Sequence, residues 1–358
     1  MPTILHAESS LGRGGQEIRT LAETRWLIGH GWNALITCQP DSLLLREART
    51  ASVPVEPIRM RSATDVGAFR RLRRLIRERG VSLVHTHSSV DSWLGSLAAK
   101  SLRRPVVRSR HVSIAIRHPL VYRLADRIIT SGQAVRATVI DAGIAPEKIV
   151  VIPAGVDTEQ FHAGVSGKSV RDELGLGAVS VIGLVANIRG SKGHNVFLDA
   201  ARTVLAAAPD THFLIVGDGV GFDEVKGRVQ RMGLESRVIL TGFRRDVPEV
   251  MAALDVLVLP STRSEATSQV IPQALAVGTP VVGSDVGGIP ELVRDGETGR
   301  LVPPGDSGAL AQAMLASLRE PERSRAMART GQAMILSQYT FDGAMARTTD
   351  VYRALLDR

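Results

Sequence analysis

The sequence predicts an α/β protein built from two doubly wound parallel sheets, and three observations carry that prediction. Short apolar runs rich in β-branched residues alternate with helix-period segments along nearly all of the 358 residues, as buried parallel strands and their crossover helices do. The runs form two sets, separated near 153–175 by a stretch rich in Gly, Ser and Asp that reads as a linker. Length points the same way, because a single core rarely grows beyond about 250–300 residues.

In chain order, the first set is TILHA (3–7), NALITC (33–38), VSLVH (81–85), PVVRS (105–109), RIIT (127–130) and KIVVI (148–152). Ile18, Leu21 and Ile28 mark the apolar side of the helix after the first run, and Phe69, Leu72 and Ile76 that of a helix over 65–79. The second set is SVIGLVAN (180–187), HFLIVG (212–217), RVILT (237–241), LDVLVL (254–259) and TPVVG (279–283), with a helical pattern from Phe197 to Leu205. After residue 305 the pattern is helical only. Right-handed crossovers make each half a doubly wound sheet, giving domains over 1–160 and 170–339. Sheets of this kind bind ligands at the carboxyl ends of their strands. Two in one chain predict a cleft holding a ligand that touches both.

Composition narrows the function. With 44% hydrophobic and 22% charged residues the chain is a globular protein rather than a disordered one. Aromatics at 4% leave little for base stacking. Cys38 stands alone, which excludes a disulfide framework or a cysteine-built zinc site and favours a reducing compartment. No 18-residue apolar run occurs, and Met1-Pro2 leads straight into a strand pattern, so a cytoplasmic location is expected. Residues 1–160 carry 23 Lys/Arg against 14 Asp/Glu, a balance of +9, whereas the remainder balances at −1. The basic half implies an anionic partner.

Four segments carry candidate chemistry. SLGRGGQE (10–17) is a glycine-rich turn between strand and helix, which lets backbone approach a ligand. It lacks both the dinucleotide and the P-loop spacing. NIRGSKGHN (187–195) places Arg189 and Lys192 three apart in a loop that opens a helix, the make-up of a diphosphate clamp. IVGDGVG (215–221) is a glycine turn at a strand end; Phe222 stands where a dinucleotide fingerprint needs Gly or Ala. In the stretch 260–299, Glu265 follows a strand, Thr267 or Ser268 is expected to cap the next helix, and Pro272 falls in or near its first turn.

In this order and spacing, GGQE (14–17), IPAGVDTEQF (152–161), IRGSKG (188–193), LIVGDG (214–219), LTGF (240–243) and the Glu265 segment running into VGGIPELV (286–293) resemble the family 4 retaining glycosyltransferases of the GT-B fold, across nearly the whole chain. The resemblance implies two Rossmann-like domains facing across a cleft, with a final helix (340–358) returning to the first domain. It implies that Arg189 and Lys192 bind the donor's diphosphate and that Glu265 contacts the donor sugar. Gly14 and Gly15 match the loop nearing the phosphates from the first domain, and His111 a histidine near the donor sugar. Gly217, Phe243, Thr267, Ser268, Gln269 and Gln273 complete the implied donor site. Gln273 departs from the family, whose second glutamate binds the ribose hydroxyls; an amide accepts that bond without charge assistance.

The implied reaction is a retaining transfer of a sugar from a nucleotide-diphosphate sugar to a glycan or lipid-linked acceptor in cell-envelope polysaccharide or lipopolysaccharide assembly. No acidic pair such as DxD ends a strand, so no cofactor and no obligatory metal is expected. Arg70, Arg71, Arg73, Arg74 and Arg77, on the polar side of the 65–79 helix, suit an anionic membrane or a phosphorylated acceptor. No nucleic-acid motif accompanies the charge. His85 and His87 are expected on the acceptor side; as a metal pair they lack a third ligand. Two alternatives remain open at this point: an epimerase or phosphorylase of the same fold, and a non-catalytic nucleotide-sugar-binding protein.

Overall fold

The computed structural model of the chain describes residues 1–12, 15–116, 118–263 and 265–357. These residues divide into two compact units, 1–154 with 342–358, and 155–341. Each is a wholly parallel sheet with its own core.

The first unit contains β1 (Thr3–Glu8), β2 (Asn33–Cys38), β3 (Val55–Pro57), β4 (Val81–Thr86), β5 (Val106–Arg110), β6 (Arg127–Thr130) and β7 (Ile149–Val151). Their spatial order is β3-β2-β1-β4-β5-β6-β7. The strands are short apolar runs because both faces are covered by helices; Ile4, Leu5, Leu83, Val84, Val106 and Val107 are fully buried. The helix Val66–Glu78 starts where the Asp65 carboxylate accepts from the Ala68 N–H at 2.9 Å, and it packs Leu72, Leu75 and Ile76 onto the sheet. The helix Phe341–Leu356 contributes Tyr352, which is buried with its hydroxyl 2.6 Å from His85 Nδ1.

The second unit contains β8 (Val181–Val185), β9 (His212–Val216), β10 (Val238–Gly242), β11 (Val256–Leu259), β12 (Val281–Ser284) and β13 (Arg300–Val302), in the order β10-β9-β8-β11-β12-β13. Residues alternate between two apolar layers, Leu257 and Leu259 toward one and Val256 and Val258 toward the other.

Three features differ from the sequence expectation. β3 and β13 are additional strands of three residues each, both on sheet edges. Edge strands need no continuous apolar run, since only one neighbour pairs with them. The helix Gly15–Gly29 buries Glu17, Thr20, Glu23, Thr24 and Leu27, while Ile18 and Ile28 are exposed. The apolar residues therefore do not mark its packed face. Among the described residues, no helix is long and apolar enough to cross a membrane.

The Tyr352–His85 bond joins the last helix to β4 inside the first unit. Tyr352→Phe keeps the ring and removes the hydroxyl, leaving a buried imidazole nitrogen short of one partner. We expect a loss of about 1–3 kcal/mol, read as a lowered urea midpoint at unchanged slope; an unmoved midpoint would show that the bond contributes nothing.

Candidate functional site

In an open parallel sheet the ligand crevice opens where strand order reverses, because the flanking connections leave in opposite directions there. In the second unit that point lies between β8 and β11. The loop after β8 carries Arg189 and Lys192; the loop after β11 carries Glu265. The two meet: Lys192 Nζ lies 2.6 Å from Glu265 Oε2, and the Ser261 hydroxyl donates to the same oxygen at 2.8 Å. The Glu265 and Lys192 side chains are only 9% and 13% exposed, so the charges pair in a low-dielectric setting where each needs the other. Arg189 is exposed.

Backbone knits the loops together. Thr262 N donates to Ser191 O at 2.9 Å, Ile188 N to Asp218 O at 2.8 Å, Gly217 N to Gly242 O at 2.9 Å and Gly288 N to Glu265 O at 2.9 Å. Such closeness requires glycine at particular places. Gly193 has φ +74°, and a Cβ there would lie 1.8 Å from Pro260 O; Gly287 has φ +61°, with its Cβ position 1.9 Å from Glu265 O. Gly217 is equally confined, 1.9 Å from Ala186 O. The glycine spacing in the sequence thus encodes the approach of loops from β8, β9, β11 and β12 at one end of the sheet.

The remaining expected donor residues lie at the same end. Phe243 directly follows β10 and is 59% exposed. Thr267 and Gln269 are half-buried and Ser268 is buried ahead of the helix Val270–Val277. Neither Thr267 nor Ser268 caps that helix: its first turn begins after Gln269, and no side-chain cap bond forms. Pro272 sits in the first turn, where its missing N–H costs no helical bond. Gln273 is half-buried one turn in.

In the first unit the strand-order reversal lies between β1 and β4. Gly14 falls outside the described residues; Gly15 opens the helix Gly15–Gly29, and beyond its chain neighbours and its own helix backbone nothing lies within 4 Å of its Cβ position. Sequence reading missed the carboxylates that shape this end. Glu8 Oε1 accepts from Ser10 N at 2.9 Å and Oε2 from Gln16 Nε2 at 2.5 Å, while Asp91 accepts from the Ser9 hydroxyl and from His87 N, each at 2.8 Å. Burial, and then the Asp91 charge, push Glu8 up to about 7. The only signal for Glu8 was an acid ending an apolar run.

His85 and His87 depart from expectation. They are 0% and 4% exposed, so neither offers its ring to an acceptor at the unit's surface. Both strand-end positions point into a buried polar cluster with His6, and burial holds both rings well below the usual imidazole range. His111 follows β5, stacks on His87 with centroids 6.3 Å apart, and is held down at about 3 by burial, then by Arg19 and Arg110.

Two family models match the chain. "Glycosyl transferases group 1" covers residues 179–320 and "Glycosyltransferase Family 4" residues 13–160. The D-inositol 3-phosphate glycosyltransferase of Segniliparus rotundus is 33% identical over 307 residues, spanning 77% of this chain and 66% of the relative. The phosphatidyl-myo-inositol mannosyltransferase of Mycobacterium leprae is 30% identical over 315 residues, spanning 84% and 82%. HepE of Anabaena, crystallised with UDP, superposes with a TM-score of 0.89 at 25% identity, over 99% of this chain and all of that one.

His194, buried at the start of the helix His194–Ala207, supplies a pH-dependent test of the loop that bears Lys192. Burial, and then the Lys192 charge, lower His194 to about 4. The fold favours the neutral ring, so the stabilisation is complete above pH 6.5 and is lost as pH falls from 6.5 through 4. At about 1.4 kcal/mol per pH unit the loss reaches about 3 kcal/mol. His194→Gln should flatten that part of the urea-midpoint profile between pH 7 and 4.5; an unchanged slope would locate the acid sensitivity elsewhere.

Proposed function

The chain belongs to the group 1 glycosyltransferases of family 4, with the GT-B fold, and on that footing we propose that it moves a sugar from a nucleotide-diphosphate sugar to an acceptor hydroxyl with retention of configuration. The observation that carries the reading is the Lys192–Glu265 pair at the β8/β11 reversal, with Arg189 exposed on the same loop. HepE has been crystallised with UDP-glucose as well as UDP, which supports a nucleotide-sugar donor.

In this reading Lys192 and Arg189 hold the diphosphate. Three donors on Nζ let Lys192 keep Glu265 while reaching a phosphate oxygen, and the guanidinium of Arg189 offers a planar fork. Both stabilise charge that grows on the leaving diphosphate as the glycosidic bond breaks. Glu265, anchored by Lys192 and Ser261, accepts hydrogen bonds from donor-sugar hydroxyls. Ser268 and Gln269 stand ahead of a helix whose first N–H groups lack intrahelical partners, a further positive field. Gln273 takes the ribose. The acceptor hydroxyl bonds to the anomeric carbon on the face from which the diphosphate departs, and the leaving phosphate receives its proton, so no side chain needs to act as nucleophile or base, and no metal is required at the diphosphate.

The acceptor in this reading is a glycan or lipid-linked carrier of cell-envelope polysaccharide or lipopolysaccharide. Relatives include the lipopolysaccharide core mannosyltransferase LpsB of Rhizobium meliloti, 29% identical over 245 residues. Arg70, Arg71, Arg73, Arg74 and Arg77 line a surface hollow of about 310 Å³ on the helix Val66–Glu78. Such a face draws the first unit to anionic lipid at the membrane's inner surface.

Two measurements test this. Incubation with UDP-, GDP- and ADP-sugars should release the nucleotide from one class, with retained anomeric configuration in the product by NMR. Glu265→Ala and Lys192→Ala should each lower kcat about 10²–10³-fold while circular dichroism stays native. Binding without turnover in the wild type would favour the non-catalytic alternative. Separately, vesicles rich in anionic lipid should sediment the wild type, and the Arg70/Arg73/Arg74/Arg77→Gln variant should stay in the supernatant at 150 mM salt, where about 1 kcal/mol per arginine is at stake; equal sedimentation would end the membrane role.

A further inference from the structure

The first unit contains a cluster that the transfer chemistry leaves unused. His6 on β1, His85 at the end of β4, His87 just beyond it and Glu23 on the helix Gly15–Gly29 each offer one donor atom, and the four atoms lie within 4.8 Å of one another. All four residues are buried, none more than 4% exposed. Register accounts for half of the assembly: His6 and His85 are direct cross-strand partners at the β1/β4 reversal. The rest follows from the polar stripe of the helix, which turns Glu23 inward in place of Ile18 and Ile28.

Within this enclosed space several atoms have no partner. His6 Nδ1 lies 2.9 Å from His87 Nε2, but His6 Nε2, His87 Nδ1 and Glu23 Oε2 are bonded to nothing. Buried polar atoms in native proteins are satisfied by protein, water or an ion. Here the orphans are two imidazole nitrogens and a carboxylate oxygen; the His6–His87 bond leaves a proton on one of the outer nitrogens, and with that bond opened the three make the donor set of a borderline divalent cation. Around the set stand the groups that orient metal ligands. Arg19 Nε holds Glu23 Oε1 at 2.5 Å, which leaves Oε2 free, and the hydroxyls of Tyr352 and Ser109 hold the His85 ring at 2.6 and 2.8 Å.

We propose that His6, His87 and Glu23, once the two rings give up their mutual hydrogen bond, with His85 as a fourth ligand once it releases one hydroxyl, bind a zinc-type divalent cation at the β1/β4 reversal. The bonds of such a site, about 2.0–2.2 Å, require donors that now stand up to 4.8 Å apart to draw in by about 1 Å. The ion ties the helix that follows the glycine-rich loop to the two central strands. It therefore fixes that helix against the sheet and takes no part in bond breaking. The site is separate from the diphosphate grip and does not rest on the proposed reaction.

The test uses the full chain stripped with chelator and dialysed against Co²⁺ or Zn²⁺ alone. One equivalent per chain should remain after desalting by elemental analysis, and Co²⁺ should give the intense visible bands of a four- or five-coordinate ion. Zn²⁺ should raise the melting midpoint of the stripped protein. His6→Asn and Glu23→Gln should each weaken Co²⁺ binding by at least about tenfold, whereas His30→Gln with His162→Gln, both exposed, should not. The proposal fails if the retained metal disappears with the exposed pair. It also fails if both cluster variants bind as tightly as wild type, or if Co²⁺ shows only the weak bands of an octahedral hydrated ion. Should a cluster variant not fold, the wild-type cobalt spectrum and stoichiometry decide alone.

Discussion

The ion pair between Lys192 and Glu265 is the interaction on which the open end of the second unit's sheet depends. Each charge is almost wholly removed from water, so leaving either one alone costs stability. Together they fix the ends of β8 and β11 across the place where a parallel sheet opens. Everything nearby is arranged to permit this approach: Gly193 beneath Pro260, Gly287 beneath Glu265, and the Thr262–Ser191 backbone bond. Any side chain at those glycines would collide with a carbonyl, and the pair would part.

The first unit repeats the topology with different chemistry. Its strand-order reversal is lined by neutral histidines and by the carboxylates Glu8, Glu23 and Asp91, all buried. Burial acts on the two kinds of group in opposite senses, lifting Glu8 toward neutrality and keeping His6 uncharged down to about 4. Both shifts lower the charge buried at this end of the sheet. Arg19 and Glu23, which remain a salt bridge 2.5 Å apart, cancel locally.

Most of the strands and the family resemblance were legible because a parallel strand buried on both faces has few acceptable residues, and because glycines at close approaches cannot be replaced. β3 and β13 were not legible. Paired on one side only, they carry no apolar run to announce them. The helix Gly15–Gly29 was read by its isoleucines and packs by its threonines and glutamates. Glu17, Thr20, Glu23, Thr24 and Leu27 do recur at helical spacing, so the signal existed, but a polar stripe is ordinarily the solvated one. The cap before Val270 was misplaced for a related reason: Thr267 and Ser268 have the right chemistry, yet the chain does not turn helical until after Gln269.

The sequence by itself determined the two-sheet α/β class, the family, and the candidate donor residues Arg189, Lys192 and Glu265, since glycine spacing and charged residues after strand runs are local properties. Only the tertiary structure decided who meets whom. Lys192 and Glu265 are 73 residues apart in the chain, and His6 and His87 are 81 apart; strand order and register alone bring them within hydrogen-bond reach. The facing of a helix is likewise settled by what it packs against, which is why Glu23 lies among histidines that sequence spacing left without a third partner.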